Sequence, residues 1–271
     1  MGEAARFFWR EFMKKLISVL CVIVLVAGCA PTMPTGSTGN LSEKVCGWGL
    51  RRTDDRPEFT EEQTRLMEKY NCIYMGDEND KSLYLTFDEG YENGYTSIIL
   101  DVLRQKGVPA AFFVTAAYVK SEPELVKRMA KEGHIIGNHT ANHPCVPTLS
   151  EGEITLELEE LDRLVYGTVK KKCKYFRAPK GEYSEKSLAV THSLGYINTF
   201  WSFAYVDWDD KVNASDAKQK IVENLHNGEV LLLHATSKAN ADCLADVIDI
   251  ARKEGYVFKS LDEYKNKYLK T

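Results

Sequence analysis

From about residue 81 onward, short apolar stretches alternate with longer stretches in which apolar residues recur at helical spacing. The short stretches predict β-strands, and their sparse charges suit strands that are buried on both faces. They fall at residues 83–87, 110–115, 134–138, 175–178, 196–201, 230–234 and 256–260. Strands that alternate with helices indicate a parallel sheet with right-handed crossovers, and therefore an α/β fold. Seven such units are more than most open sheets contain and one fewer than an eightfold barrel.

The longer stretches predict the helices between these strands. They fall at residues 95–106, 123–132, 150–166, 184–194, 214–226 and 240–254. Ser150 with Glu153 forms a capping box at the start of the longest helix, and Gly107 and Gly133 are expected to end two others. On the first helix, four apolar residues are expected to share one face: Ile98, Ile99, Val102 and Leu103.

Residues 44–80 predict a lead-in with one helix over 60–70, capped by Thr60 and Gln63. This segment is too short for a core of its own, so we expect it to pack on the domain formed by residues 81–265. The cysteines after residue 29 are Cys46, Cys72, Cys145, Cys173 and Cys243. Their number is odd and no CxxC spacing occurs, so neither a disulfide framework nor a cysteine zinc site is predicted. Cys46 with Cys72 is the pair to test first.

The N-terminus predicts a targeting segment. Basic Lys14 and Lys15 precede an apolar run over 16–27, which is shorter than the roughly 20 residues of a membrane span but suits a secretory signal. The ending Val26-Ala27-Gly28-Cys29 resembles the bacterial lipobox, in which the cysteine is lipidated and becomes the first mature residue. Residues 1–29 are thus predicted to be a lipoprotein signal peptide and residues 30–43 a flexible tether. A plain signal peptide with a chance cysteine is the alternative, and Met13 is an alternative start.

These predictions place the protein outside the cytoplasm, anchored by lipid to the outer face of a bacterial membrane. A composition of 44% hydrophobic and 27% charged residues is that of an ordinary globular protein. The net charge of −4 and the pI near 5.9 leave no general attraction to nucleic acid, so we expect no nucleic-acid partner. We expect a monomer.

Chemically reactive residues follow several of the predicted strands, where parallel α/β proteins keep their active sites. They are Asp88 and Glu89, then His139 to His143, Arg177 to Gly181, Asp207 with Trp208, and finally His234. Two histidines at HxxxH spacing are weak evidence alone, but carboxylates and a third histidine at corresponding strand ends favour a metal site. The other three histidines do not lie with reactive residues at corresponding strand ends, so we expect them to be structural: His134, His192 and His226.

These residues form motifs that resemble the polysaccharide deacetylases with the NodB homology domain, carbohydrate esterase family 4. The resemblance covers residues 81–264 and includes all five family motifs in order. The matches are residues 86–90 to TFDDG, 139–143 to H(S/T)xxH, 177–181 to RxPxG, 207–208 to DW and 231–234 to LxLH. It implies a distorted (β/α)7 barrel, in agreement with the strand count. Residues 48–51, 88–96, 133–139 and 231–238 resemble one branch, the delta-lactam-forming de-N-acetylases of spore cortex peptidoglycan.

The resemblance implies a role for each motif residue in amide hydrolysis. Asp88 would be the general base, held ionised and oriented by Arg177. His234, held by Asp207, would be the general acid for the leaving amine. The backbone N–H of Lys180 is the expected oxyanion donor beside the metal.

A divalent metal, expected to be zinc, would be bound by His139 and His143 with Glu89 as third ligand. Glu89 stands where the wider family has aspartate and the branch often has asparagine, so both the identity of the metal and the part of Glu89 stay open. Candidates for contact with the sugar are Lys180, Trp201, Tyr205 and Trp208.

The sequence therefore predicts a metal-dependent deacetylase that acts on N-acetylmuramic acid of peptidoglycan strands and leads to muramic delta-lactam. A first alternative is deacetylation of N-acetylglucosamine in the wall or in an exopolysaccharide. A second is a non-catalytic, glycan-binding lipoprotein, which the intact acid, base and orienting residues argue against.

Overall fold

The structure, a computed structural model, describes residues 41–209 and 211–269. Its centre is a curled sheet formed by β2 (Ser82–Glu89), β3 (Ala110–Val114), β4 (Ile135–Asn138), β5 (Tyr175–Phe176), β7 (Ile197–Asn198), β8 (Glu229–His234) and β9 (Val257–Phe258). Their pairings are all parallel, in the order β7-β5-β4-β3-β2-β8, with β9 beside the start of β2. A separate antiparallel pair consists of β1 (Cys46–Gly47) and β6 (Glu182–Tyr183).

Helices cover the outside of this sheet. They are α1 (Glu61–Lys69), α2 (Thr96–Lys106), α3 (Ala116–Ser121), α4 (Pro123–Lys131), α5 (Glu151–Val169), α6 (Glu185–Ser193), α7 (Ala214–Val222), α8 (Lys238–Lys253) and α9 (Leu261–Tyr268). Short 3-10 turns occur at Val146–Thr148 and Pro179–Gly181. The capping boxes at Thr60 and Ser150 are present, as their sequences predict. None of the helices in the described part of the chain is both long and apolar enough to cross a membrane.

The strand β2 organises the core because it is buried along its whole length. Its side chains alternate between two environments. Leu83, Leu85 and Phe87 pack between the sheet and the helices, whereas Tyr84 packs inside the barrel with residues that include Tyr264 of α9. Because of the same alternation, the last two side chains of β2 point in opposite directions.

The barrel closes between β7 and β8 without a long strand. Ile73 forms a parallel bridge with Thr199, and the chain after β7 reaches Phe203, which forms a parallel bridge with Leu231 of β8. Hydrogen bonds from Phe203 N to Val230 O (3.2 Å) and from Leu232 N to Phe203 O (2.9 Å) secure this seam. The predicted α/β fold and distorted (β/α)7 barrel are confirmed.

The lead-in packs against one wall of the barrel. Its Trp48 and Met67 share a buried cluster with Tyr183, Leu188 and Phe200. The Trp48 ring contacts the Phe200 ring at a centroid distance of 4.5 Å. The apolar side chains of the lead-in are thus buried against the domain on which it packs.

Several local predictions differ from the structure. Ile98 is 44% exposed, and the buried face of α2 is instead formed by Thr96, Ile99, Leu100 and Leu103. The strands β5, β7 and β9 are two residues long, shorter than their apolar stretches, and α3 and α9 were not predicted. The described cysteines, Cys46 and Cys72 among them, are free thiols. The predicted signal segment, Cys29 and most of the tether lie outside the described residues.

Candidate active site

The chemically reactive residues of separate strands meet at one mouth of the barrel. A cavity of about 840 Å³ is lined there by residues that include Asp88, His139, His143 and His234. A second cavity of about 670 Å³ is lined by residues that include the same four side chains. They meet because the carboxyl ends of parallel strands lie at one edge of the sheet.

Asp88 is held by a buried arginine. Arg177 is fully buried, and its Nη1 donates to Asp88 Oδ1 at 2.8 Å. Its Nη2 donates to Thr86 Oγ1 at 2.9 Å. Thr86 and Asp88, which lie on the same face of β2, therefore hold the same guanidinium. Burial alone raises the pKa of Asp88, but the charge and hydrogen bond of Arg177, with the nearby His139 and His234, together outweigh it, and the pKa is lowered. Asp88 is therefore an ionised carboxylate that faces the cavity, as a general base requires.

His139 and His143 lie on a loop after β4. The loop is bent at Thr140 (φ 68°) and His143 (φ 56°), and His143 N donates to Thr140 Oγ1 at 2.9 Å. The two rings are 5.0 Å apart between centroids. His139 Nδ1 donates to Arg177 O at 2.8 Å, which leaves the lone pair on Nε2, 3.6 Å from Asp88 Oδ2.

This pair of imidazoles suits a metal ion. Burial lowers the pKa of His139 to about 4, and burial also lowers that of His143, so both rings are neutral near pH 7. A neutral imidazole whose other nitrogen donates to a carbonyl has the form that binds zinc. Within the described residues no third His, Cys, Asp or Glu completes a ready-made metal cluster.

Glu89 lies next to Asp88 but has different surroundings. Its side chain is fully buried, and neither carboxylate oxygen has a hydrogen-bond partner among the described residues. Burial, reinforced by the carboxylates of Glu92 and Asp88, raises the pKa of Glu89 well above its usual range. Glu89 does not line either cavity. Metal binding by Glu89 stays a prediction.

His234, at the end of β8, is held from behind by Asp207. Its Nδ1 donates to Asp207 Oδ1 at 2.7 Å, and its backbone N donates to Asp207 Oδ2, also at 2.7 Å. Asn240 Nδ2 donates to the same Oδ2 at 2.6 Å. Burial alone lowers the pKa of His234, but the hydrogen bond and charge of Asp207, with the charge of Asp88, together outweigh it, and the pKa is raised. The raised pKa favours the protonated imidazole at the cavity, which is the form that a general acid requires.

The predicted sugar-contacting residues all line the larger cavity. Lys180, at the bend of the 3-10 turn (φ 57°), is exposed, and its charge helps lower the pKa of His143. Trp208 is 60% exposed, with its ring 5.3 Å from that of His234. Tyr205 is half-buried, and its hydroxyl donates to Asn240 Oδ1 at 2.5 Å. Trp201 completes the wall.

Four residues of the site were missed from the sequence. Thr86 had a signal, because it lies two residues before Asp88 and so shares its face of β2. No sequence pattern indicated Asn240, Arg52 or Lys220, because each lies far along the chain from the site residues that it contacts or with which it lines the cavity.

Known proteins are similar to this chain in sequence and in fold. The model of the polysaccharide deacetylase family matches residues 75–199. The chain is 41% identical to the peptidoglycan-N-acetylmuramic acid deacetylase PdaA of Bacillus subtilis, over 93% of this chain and 95% of the relative. The chain belongs to the polysaccharide deacetylase family.

Solved structures agree with that membership. The structure of Bacillus subtilis PdaA, a family 4 carbohydrate esterase, matches with a TM-score of 0.81 at 40% identity and covers 84% of this chain and 100% of that one. A peptidoglycan-N-acetylglucosamine deacetylase of Bacillus cereus is 31% identical over 78% of this chain and 77% of the relative. This family member is therefore an enzyme, a polysaccharide deacetylase.

Proposed function

We propose that this deacetylase removes the acetyl group from N-acetylmuramic acid in peptidoglycan, in a metal-dependent reaction that leads to muramic delta-lactam in spore cortex. The observation that carries the proposal is the pairing of an ionised Asp88 with a protonated His234 at one cavity, each held by its own buried partner. The similarity to the muramic acid deacetylase of Bacillus subtilis supports this substrate.

The reaction needs a base, an acid and a stabilised oxyanion. Asp88 takes a proton from the attacking water, whose oxygen adds to the acetyl carbonyl carbon. His234 then gives its Nε2 proton to the sugar nitrogen, the C–N bond breaks, and acetate and a free amine result. Arg177 keeps Asp88 ionised between turnovers because its guanidinium cannot leave the buried pair without exposing an uncompensated charge.

The metal ion belongs at the imidazole pair of His139 and His143. When bound, it would polarise the acetyl carbonyl and lower the pKa of the attacking water. Both effects favour hydrolysis, because an amide carbonyl is a weak electrophile. Glu89 is the proposed third ligand, and zinc is the proposed ion.

Muramic acid differs from glucosamine by a lactyl ether whose carboxylate is free once the peptide has been removed. Lys180 is our candidate for binding this carboxylate, because the lysine lines the cavity and its positive charge helps to lower the pKa of His143. The freed amine and the lactyl carboxylate then lie on one sugar, where proximity favours closure of a six-membered lactam with loss of water.

The cellular location is also a proposal. We propose that Cys29 is lipidated and tethers the enzyme, as a monomer, to the outer face of the membrane, within reach of the wall. Cys29→Ala should release the protein into the soluble fraction, because the tether has no apolar face to hold it. Membrane association of that variant would show that the apolar segment is retained.

Mass spectrometry of peptidoglycan tests the reaction. We expect the purified enzyme to remove acetyl from peptide-free muramic residues, with lactam as the final product and with loss of activity after chelation. Lys180→Ala should lose more turnover on that substrate than on chitin oligomers. Faster turnover on chitin oligomers would favour the glucosamine activity that the Bacillus cereus relative carries in its name. No turnover on either would favour a glycan-binding protein.

A further inference from the structure

Among the described lead-in residues, Arg52 lines the larger cavity, and it lies outside the stretch that the family model matches. Trp48 N donates to Gly181 O at 2.8 Å, and Trp48 Nε1 donates to Trp201 O, also at 2.8 Å. Four residues further along the chain, Arg52 lines the cavity. A segment that carries no catalytic residue therefore shapes the space where substrate binds.

Arg52 is an exposed residue with a fixed head group. Its Nη1 donates to Asn224 Oδ1 at 2.8 Å, and its Nη2 donates to Ala204 O at 2.6 Å. Its guanidinium lies 5.2 Å from the centroid of the Phe203 ring. A guanidinium has five N–H donors, so these contacts hold it in place and leave donors for a ligand.

Lys220, near the end of α7, is joined to Arg52 through the same asparagine. Asn224 Nδ2 donates to Lys220 O at 2.7 Å, while the Oδ1 of that side chain accepts from Arg52. Lys220 also lines the cavity, with its Nζ 5.6 Å from the centroid of the Tyr205 ring. The two cations thus line one cavity beside neighbouring rings, Phe203 and Tyr205, whose centroids are 6.1 Å apart.

Neither cation is neutralised by a carboxylate among the described residues. In residues 41–209 and 211–269, no carboxylate forms a salt bridge with Arg52 or Lys220, whereas the neighbouring Lys218 pairs with Asp246 at 2.9 Å. The charge of Arg52 lowers the pKa of the buried Glu229, but burial outweighs this effect and raises that pKa well above the usual range, which favours the neutral carboxyl. Two unneutralised cations beside a catalytic cavity favour an anionic ligand over a neutral one.

We propose that Arg52 and Lys220 form an anion subsite that holds a carboxylate of the glycan strand while the acetyl group is hydrolysed. This inference rests on the proposed function, because only the muramic residues of peptidoglycan carry carboxylates, on the lactyl ether or on an attached peptide. A fixed guanidinium and an ammonium that line the same cavity suit a carboxylate, because Arg binds carboxylates through paired N–H donors and both groups are positively charged. The subsite selects for strands that carry carboxylates, and it adds to any contact that Lys180 makes.

Steady-state kinetics of the full-length chain tests this subsite with Arg52→Gln and Lys220→Gln. The substrates are peptide-free glycan strands, strands that retain peptides, strands whose carboxylates have been converted to methylamides, and chitin oligomers. We expect KM on peptide-free strands to rise about 10-fold in each variant with kcat unchanged, since the lost contact is equal in ground and transition states. KM on the methylamide strands and on chitin should not change.

Two control variants remove the same charge elsewhere. Lys218→Gln alters the same helix and Arg51→Gln the same segment, and both side chains are paired, with Asp246 and Glu58 respectively. Neither should change KM. If Arg52→Gln lowers the melting temperature because its two structural hydrogen bonds are lost, Lys220→Gln still gives the test.

The outcomes separate the subsite from the proposed function. A rise in KM only on strands that retain peptides would support the subsite and assign it to the peptide carboxylate. Equal increases on charged and neutral substrates, or unchanged KM in both variants, would overturn it. Calorimetric binding of peptide-free strands to Asp88→Asn, with and without Lys220→Gln, gives the same decision without turnover. Absence of muramic deacetylation by the unchanged enzyme would instead refute the proposed function.

Discussion

Replacing Asp207 by asparagine should disable His234 as an acid while leaving the fold intact. Asp207 Oδ2 accepts two hydrogen bonds, from His234 N and from Asn240 Nδ2, whereas Oδ1 accepts one, from His234 Nδ1. The single oxygen of an asparagine should occupy the position with two donors. Its NH₂ group would then face His234 Nδ1 and donate to it, so a proton on that nitrogen would be repelled.

The magnitude follows from the bond that is lost. A hydrogen bond to a charged partner contributes about 1.5–3 kcal/mol. Loss of that contribution to the imidazolium corresponds to a decrease of about 10- to 100-fold in kcat/KM at neutral pH. The pKa of His234 is raised in the unchanged enzyme because Asp207 and the charge of Asp88 together outweigh burial. Without the Asp207 carboxylate, only the charge of Asp88 opposes burial, so the pKa of His234 falls and the protonated acid is lost at a lower pH.

A pH profile of kcat/KM provides the assay. In the unchanged enzyme, activity requires Asp88 ionised, above its lowered pKa, and His234 protonated, below its raised pKa. We expect Asp207→Asn to move the alkaline limb to lower pH and to leave the acidic limb in place. Asp209→Asn, at an exposed side chain of the same loop, is the control and should change neither limb. An unmoved alkaline limb in Asp207→Asn would refute the assignment of His234 as the acid.

Further predictions concern the buried pair, the turn beside it and the metal. Arg177→Met should lower the free energy of unfolding in urea by about 3–5 kcal/mol, because the charge of Asp88 is left buried without a partner; a loss below about 1 kcal/mol would contradict this. Gly181→Ala places a Cβ 2.6 Å from the Trp201 ring at positive φ, whereas Gly195→Ala shares the positive φ but has no neighbour within 4 Å. The first variant should therefore lose about 1–3 kcal/mol more stability than the second, and equal losses would show that the ring moves aside. Glu89→Ala should weaken metal binding in calorimetry, and unchanged affinity would remove Glu89 from the ligands.

The sequence by itself determined the order of strands and the place of the chemistry. Parallel strands bring their carboxyl ends to one edge whatever their detailed register, so residues as distant as Asp88 and His234 were predicted to meet. Capping boxes were also predicted correctly, because Ser150 and Glu153 satisfy each other within one turn. These features depend on local geometry or on topology alone.

Only the tertiary structure decided which groups hold the reactive side chains and which line the cavity. Asn240 orients Asp207 from α8, and Asn224 joins Arg52 of the lead-in to α7. No periodicity links such residues, because a hydrogen bond between distant segments leaves no mark on the spacing of either one. The surroundings of Glu89 likewise depend on how the end of β2 lies against its neighbours, since adjacent side chains on a strand point in opposite directions.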